Sequence, residues 1–258
     1  MNTLPAFEIR KPRLQLPVIA GVIERRMLIN FRCRSDVLEN ILPPPFRPKL
    51  IHGWGMAGVC LVRIGGLRPA FLPALAGISS ENAAHRIAVE WDDNGATHEG
   101  VFIPRRDSNA LFNRLAVGKI FPGIHHAANF RVFETTDRFK LEMQSEDRAS
   151  FVRVHGRVAN ALPATSIFRS LAEASEFLRR GSFGWSARAK ENTFDGLELN
   201  CHPWRIEPMA IERIQSSFFE NRELFPAGSA IFDSAFLMRN IPHEWHARGK
   251  LVVDTTEP

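Results

Sequence analysis

The sequence predicts a mainly β, α+β fold: an antiparallel β-barrel or sandwich wrapped by extra strands, with a few short helices. Three observations predict it. Short runs of apolar and polar residues alternate, as over Ala84–Trp91. Turn signals separate those runs, and Asn94-Gly95 is the clearest hairpin marker among them. Only one segment, Ser166–Arg180, carries a long apolar stripe at helical spacing.

The 258 residues suit one domain spanning 1–258. Residues 1–15, punctuated by Pro5 and Pro12, read as a loose arm. Ser35 is placed to cap a short helix that Pro43-Pro44-Pro45 stops. Trp54–Ile64 follows as an apolar strand, and Gly65-Gly66 as a turn. Ala84–Trp91 and His98–Ile103 flank the Asn-Gly turn, with Pro104 ending the second strand. Ser108–Val117 reads as a second short helix. A meander then runs through His126–Glu134, Arg138–Gln144 and Ala149–Ala159. Over Ser166–Arg180, Ile167, Leu171, Ala174 and Leu178 share one face, and Gly181 supplies the stop. Trp185–Ala189, Gly196–Asn200, Arg205–Phe219 and Ala235–Arg239 return to strand.

Composition excludes several functions. The 33 Lys and Arg outnumber 28 Asp and Glu for a net charge of +5, without any basic block, so no nucleic-acid partner is expected. Six of the 33 are lysines (Lys11, Lys49, Lys119, Lys140, Lys190 and Lys250), leaving 27 arginines. The pairs Arg25-Arg26, Arg105-Arg106 and Arg179-Arg180 read as solvated faces. There is no tyrosine, so proton transfer falls to histidines and carboxylates. Cys33, Cys60 and Cys201 are widely spaced and odd in number, which fits reduced thiols in a cytoplasmic protein. Each reads as a packing residue, and only Cys33, between Arg32 and Arg34, has a cationic setting. The apolar run Leu16–Ile23 is too short to cross a bilayer, so no membrane partner is expected.

Familiar catalytic signatures are missing. There is no G-x-S-x-G elbow, no phosphate-binding loop and no dinucleotide fingerprint, so no cofactor is expected. His243-Glu244-Trp245-His246 is one residue short of H-E-x-x-H, and no metal is expected there. The densest polar stretch is 79–126, which holds Glu81, His85, Arg86, Glu99, Arg105, Arg106, His125 and His126. Arginine grips carboxylates in two-point fashion, so Arg105-Arg106 would form an anion clamp in a concave site. Successive strand residues face opposite ways, so both arginines point inward only if Pro104 ends the strand. A charged strand end paired with Asp107 or Glu99 is the plainer alternative.

Five blocks together carry a family resemblance: 42–48 (LPPPFRP), 79–91 (SSENAAHRIAVEW), 100–107 (GVFIPRRD), 121–126 (FPGIHH) and 233–245 (DSAFLMRNIPHEW). The chain resembles the uncharacterised bacterial YqjF-like family of the acetoacetate decarboxylase-like superfamily. The resemblance covers roughly Met27 to Trp245. It implies the decarboxylase-like barrel and, as an expectation from the related fold alone, a homodimer. In the decarboxylases a strand ends in Pro-Lys-Lys. The first lysine forms a Schiff base, and its cationic neighbour activates it, an activation that is the general example of a tuned lysine. Pro104-Arg105-Arg106 matches that position, with Arg105 in the place of the imine-forming lysine. A guanidinium does not lose its proton at neutral pH, so it forms no imine. Lys119 is the nearest lysine that could serve instead.

The resulting expectation is a small-molecule-binding protein, and an enzyme if it acts on a small carboxylate, enol or dicarbonyl compound. Arg105, Arg106, His125 and His126 would be catalytic, and Glu81, His85, Arg86 and Glu99 would bind the ligand. One alternative is a non-catalytic ligand-binding or regulatory module. The other is a metal-dependent enzyme using His85, His125 and His126.

Overall fold

The computed structural model describes residues 6–11, 17–73, 77–110, 123–188, 190 and 192–253. Lys119 and most of the helix expected over Ser108–Val117 lie outside these residues.

The fold is a strand-rich sheet that closes on itself. Five strands form its spine: β2 (Ile19–Cys33), β5 (Trp54–Pro69), β6 (Ile78–Asp93), β7 (Ala96–Ser108) and β14 (Ala230–Val253). They pair antiparallel in the order β14-β2-β5-β6-β7. From β7 the sheet divides. Arg106–Ser108 pair with β8 (His125–Glu134), and Val101–Ile103 pair with β11 (Phe183–Ala187). The first branch returns to β14 through β9 (Arg138–Ser145), β10 (Phe151–Val158) and β13 (Glu207–Ser216). The second returns through β12 (Thr193–Cys201). Two closed rings therefore share one five-stranded wall, and closure leaves that wall with no free edge. Short strands β1 (Phe7–Arg10), β3 (Arg47–Pro48) and β4 (Leu50–Ile51) pair with β14, β6 and β5.

The shared wall is buried on both faces. Met27, Ile29 and Phe31 of β2 pack with Val154, Met143 and Leu237. Between them Leu28 points the other way, toward Phe236, Met238 and Phe177. Helix α2 (Leu171–Arg180) covers this second face with Ala174, Phe177 and Leu178. Burying each large side chain there contributes roughly 1.5–3 kcal/mol.

Most expected elements are present, with instructive differences. Asn94 and Gly95 make the predicted turn, with φ of 50° and 76°. The loose arm is in part strand β1, which pairs Phe7–Arg10 with Lys250–Val253. β2 was hidden in the sequence because Glu24-Arg25-Arg26 interrupts its apolar alternation. Gly65-Gly66 is no turn; β5 continues through it with a register shift between Ile64 and Leu67. Helix α1 (Ser35–Ile41) begins at its expected cap residue, so the cap position falls one residue earlier, at Arg34. The long helix starts at Leu171, because Asp233 captures Ser166 Oγ (2.9 Å) and Ile167 N–H (2.8 Å). Ser170 then caps it, accepting from Glu173 N–H at 3.1 Å. The run expected as one strand over Arg205–Phe219 ends at Ser216, where the short helix α3 (Ser217–Glu220) begins. No helix is long and apolar enough to cross a membrane among the described residues.

Candidate functional site

A cavity of about 110 Å³ opens inside the second ring, lined from all seven of its strands. That is somewhat smaller than the roughly 150 Å³ that holds a benzene-sized body. Its walls are largely apolar, with Ile23, Val62, Ile103, Leu199 and Trp245 among them. Against this background stand three guanidiniums, those of Arg26, Arg86 and Arg106.

Strand register explains why these three meet. Arg106 is level with Ala84, Ala84 with Cys60 and Cys60 with Leu28, which forms one row across four strands. Arg26 belongs to the row on one side, level with Val62. Arg86 belongs to the row on the other side, level with Gly58 and then Asn30. Direct and diagonal cross-strand neighbours sit within side-chain reach, so the three rows converge. Gly58 leaves a gap between Arg86 and Asn30, and Arg86 Nη2 donates across it to Asn30 Oδ1 at 2.6 Å. A side chain at Gly58 would start 2.3 Å from the Ile29 carbonyl oxygen.

Two bulges aim the arginines. Between His85 and Ile87 the register of β7 gains one residue, at Ile103-Pro104. Val101 and Ile103 face the cavity before it, and Arg106 faces the cavity after it. Without the extra residue, Arg105 would take that direction. Proline has no N–H to donate, so a bulge accommodates it inside a strand. β2 uses the same device at Glu24, after which Arg26 joins Ile23 on the cavity face.

The other member of each pair faces away and meets carboxylates. Arg25, 2% exposed, pairs with Glu81 and with Glu134 (2.6 Å). Arg63 joins the same two glutamates at 2.7 and 2.6 Å, so the four charges form a closed ring. Arg105 pairs with Asp107 at 2.9 Å and with Asp147 at 2.8 Å. The cavity arginines differ. Among the described residues no carboxylate lies within ion-pairing distance of Arg26, Arg86 or Arg106. Arg26 Nε donates to Cys60 Sγ at 3.3 Å, and Arg106 Nε to Ser186 Oγ at 3.0 Å. Arg86 Nε, fully buried, has no hydrogen-bond partner. Burial pulls the Arg86 and Arg106 guanidiniums down to about 10, so both stay charged at neutral pH.

The eight sequence candidates therefore part company. Arg86, Arg106 and His125 line the cavity, with Asp107 contributing to its wall. Arg105 does not, and the two-arginine clamp expected at 105–106 is corrected to one arginine from that pair. Glu81 belongs to the ion ring described above. His85 is buried on the opposite face, with Nε2 3.3 Å from Ser216 Oγ and its ring 4.9 Å from Phe218. Burial holds its imidazole near 3, and Arg105 reinforces this. His126 Nδ1 lies 3.3 Å from Asp147 outside the cavity. Glu99 pairs with Lys49 and, at 3.2 Å, with Arg180. His85, His125 and His126 thus occupy three different surroundings. Among the described residues no His, Cys, Asp or Glu cluster is arranged to hold a metal ion.

Arg26 and Cys60 were missed. Arg25-Arg26 reads in sequence like any solvated pair. Cys60 gains its cation from a neighbouring strand, which adjacency along the chain does not reveal. Cys33, flanked by arginines in sequence, instead lies in the apolar core, where burial pushes its thiol up to about 12.

No family model matches the chain, and no curated protein does. Solved structures do match. An acetoacetate decarboxylase from Legionella pneumophila superposes with a TM-score of 0.58 at 13% identity, over 100% of this chain and 94% of that one. The chain has the acetoacetate decarboxylase-like fold. A second structure with this fold, an acetoacetate decarboxylase-like enzyme from Sphingomonas wittichii RW1, gives 0.55 at 14% identity, over 93% and 94% of the two chains. A third is the enduracididine biosynthesis enzyme MppR, complexed with the condensation product of pyruvate and imidazole 4-carboxaldehyde. It gives 0.57 at 10% identity, over 94% and 92%. At such identities the likeness establishes the fold and leaves the chemistry to this chain's own residues. Of the pair Arg105-Arg106, Arg106 lines the cavity and Arg105 faces away from it.

Proposed function

We propose that the cavity binds a small anionic carbonyl compound, a carboxylate, enol or dicarbonyl acid, and that the chain acts on it without Schiff-base chemistry. One observation carries this reading: three guanidiniums, none in a direct ion pair among the described residues, converge on one largely apolar cavity whose described lining contains no lysine. An unpaired buried cation is costly, and a bound carboxylate would offset that cost with charge-assisted hydrogen bonds. Arginines fixed around a site where negative charge develops also stabilise an enolate, which is a large catalytic contribution. His125 would move protons there. MppR, whose fold is similar, is complexed with a pyruvate-derived compound, which supports a dicarbonyl ligand. The five sequence blocks favour the YqjF-like branch of the superfamily, the related fold suggests a homodimer, and three free cysteines suit a cytoplasmic setting.

A thermal-shift panel of small carboxylates against their neutral amides tests this. Carboxylates should stabilise the protein by about 3 kcal/mol at a hundredfold excess over Kd, and the amides should not. Equal effects of acid and amide would refute the anion reading. Stabilisation without any turnover would favour a binding or regulatory module over an enzyme.

A further inference from the structure

The cavity also holds a nucleophile that anion binding leaves unused. Cys60 lines the cavity and accepts a hydrogen bond from Arg26 Nε. In the register its direct neighbours are Leu28 and Ala84, and its diagonals include Arg26 and Arg86. Arg106 follows beyond Ala84, whose small side chain leaves the way open. All three guanidiniums lie within electrostatic range of its sulfur. Reactive thiols occupy electropositive settings, and Cys60, only 7% exposed and part of the apolar cluster of Leu28 and Ala88, borders the cavity from within that cluster. A second observation points independently to a ligand beside it. Arg86, only 8% exposed, lines the same cavity with an unpartnered Nε. The other thiols differ in place: Cys33 belongs to the other apolar cluster, and neither Cys33 nor Cys201 is in the cavity lining.

We infer that Cys60 is the nucleophile of this cavity, adding reversibly to the carbonyl carbon of an oxo acid held by the arginines. The inference rests on the anion-binding reading above. The sulfur–carbon bond forms as the carbonyl π pair moves onto oxygen. The thiol proton ends on that oxygen, giving a thiohemiketal. No oxidant is needed and no group leaves, and reversal returns the free thiol and the oxo acid. This covalent hold replaces the imine that an arginine cannot form.

Two measurements on the full-length protein test it. In the first, the folded protein is alkylated with iodoacetate or with iodoacetamide, which differ in charge, and the three cysteine peptides are followed by mass spectrometry. Cys60 should react, and its preference for iodoacetate should exceed that of glutathione by about tenfold, one decade of binding. Arg26→Met should return the preference to the glutathione value. A Cys60 that stays unmodified, or shows no preference, overturns the inference. In the second, pyruvate and lactate are titrated by calorimetry into the wild type and Cys60→Ala. Both acids present a carboxylate, but only pyruvate has the carbonyl. Pyruvate should bind the wild type about tenfold more tightly than lactate, with the difference gone in Cys60→Ala. Equal binding of both acids to the wild type overturns the nucleophile and leaves the anion site standing. Binding of neither overturns both.

Discussion

Arg86 donates through Nη2 to the amide oxygen of Asn30 at 2.6 Å, so a cation only 8% exposed leans on a neutral group. Arg25, on the opposite face of the same wall, is 2% exposed and leans on Glu81 and Glu134. The two buried arginines therefore serve different ends. One is a balanced structural charge. The other is held unbalanced beside a cavity.

That contrast predicts different costs. Arg25→Met should destabilise the fold by about 1–3 kcal/mol, because it leaves the buried Glu81 with Arg63 as its remaining ion-pair partner. Arg86→Met should stay within about 1 kcal/mol of the wild type, because relief of a buried cation offsets the hydrogen bond that the buried Asn30 Oδ1 loses. Urea unfolding of the two variants without ligand measures both. A large loss in Arg86→Met would show that its charge already has a structural counterpart.

Arg105 should matter for stability and not for the ligand. Its removal strips the fully buried Asp107 of its partner, at a cost of about 1–3 kcal/mol. Burial already pushes the Asp107 carboxyl above its ordinary range, and Arg105 opposes that push. Carboxylate affinity of Arg105→Met should stay within about twofold of the wild type, well under one decade. Calorimetry beside urea unfolding separates the two effects, and a large loss of affinity with unchanged stability would reverse the assignment.

Two buried histidines predict acid sensitivity. Burial holds His85 near 3 and His243 near 4, against an ordinary value near 6.5. Below that ordinary value the unfolded chain takes up protons that the folded chain refuses. Their stabilising share is thus complete above about pH 6.5 and falls as pH drops toward 3–4, by at most about 1.4 kcal/mol per pH unit for each histidine. His85→Phe should reduce the pH slope of unfolding free energy between about pH 6 and pH 4 by about 1 kcal/mol per unit. A variant slope equal to the wild-type slope would mean that His85 is protonated in the fold.

Gly123 should resist substitution. Its φ is +85°, and a Cβ there would sit 2.6 Å from Ser186 Cβ, which carries the hydroxyl that Arg106 grips. Gly123→Ala should cost about 1–3 kcal/mol and weaken carboxylate binding with it. A fully stable variant with full affinity would show that this backbone yields freely.

Much of the fold was legible because periodicity and turn chemistry are local. The Asn94-Gly95 hairpin, the meander of β8, β9 and β10, and the Gly181 end of α2 follow from short stretches of sequence. The strand at Ile19–Cys33 was not legible, since its charged residues point into the ion ring and the cavity and so break the apolar pattern. The site was half legible for a related reason. Arg86, Arg106 and His125 stood out within the polar stretch. Which of Arg105 and Arg106 faces inward turned on a one-residue bulge at Pro104, and alternation alone assigns the wrong one. Cys60 and Arg26 are 34 positions apart and meet only through register.

The most direct test of the central claim is calorimetric titration of pyruvate into the wild type and Arg86→Met at low ionic strength. The account predicts saturable binding by the wild type that weakens at least about tenfold in the variant, one decade of affinity. Absence of binding to the wild type, or equal affinity in the two proteins, would contradict it.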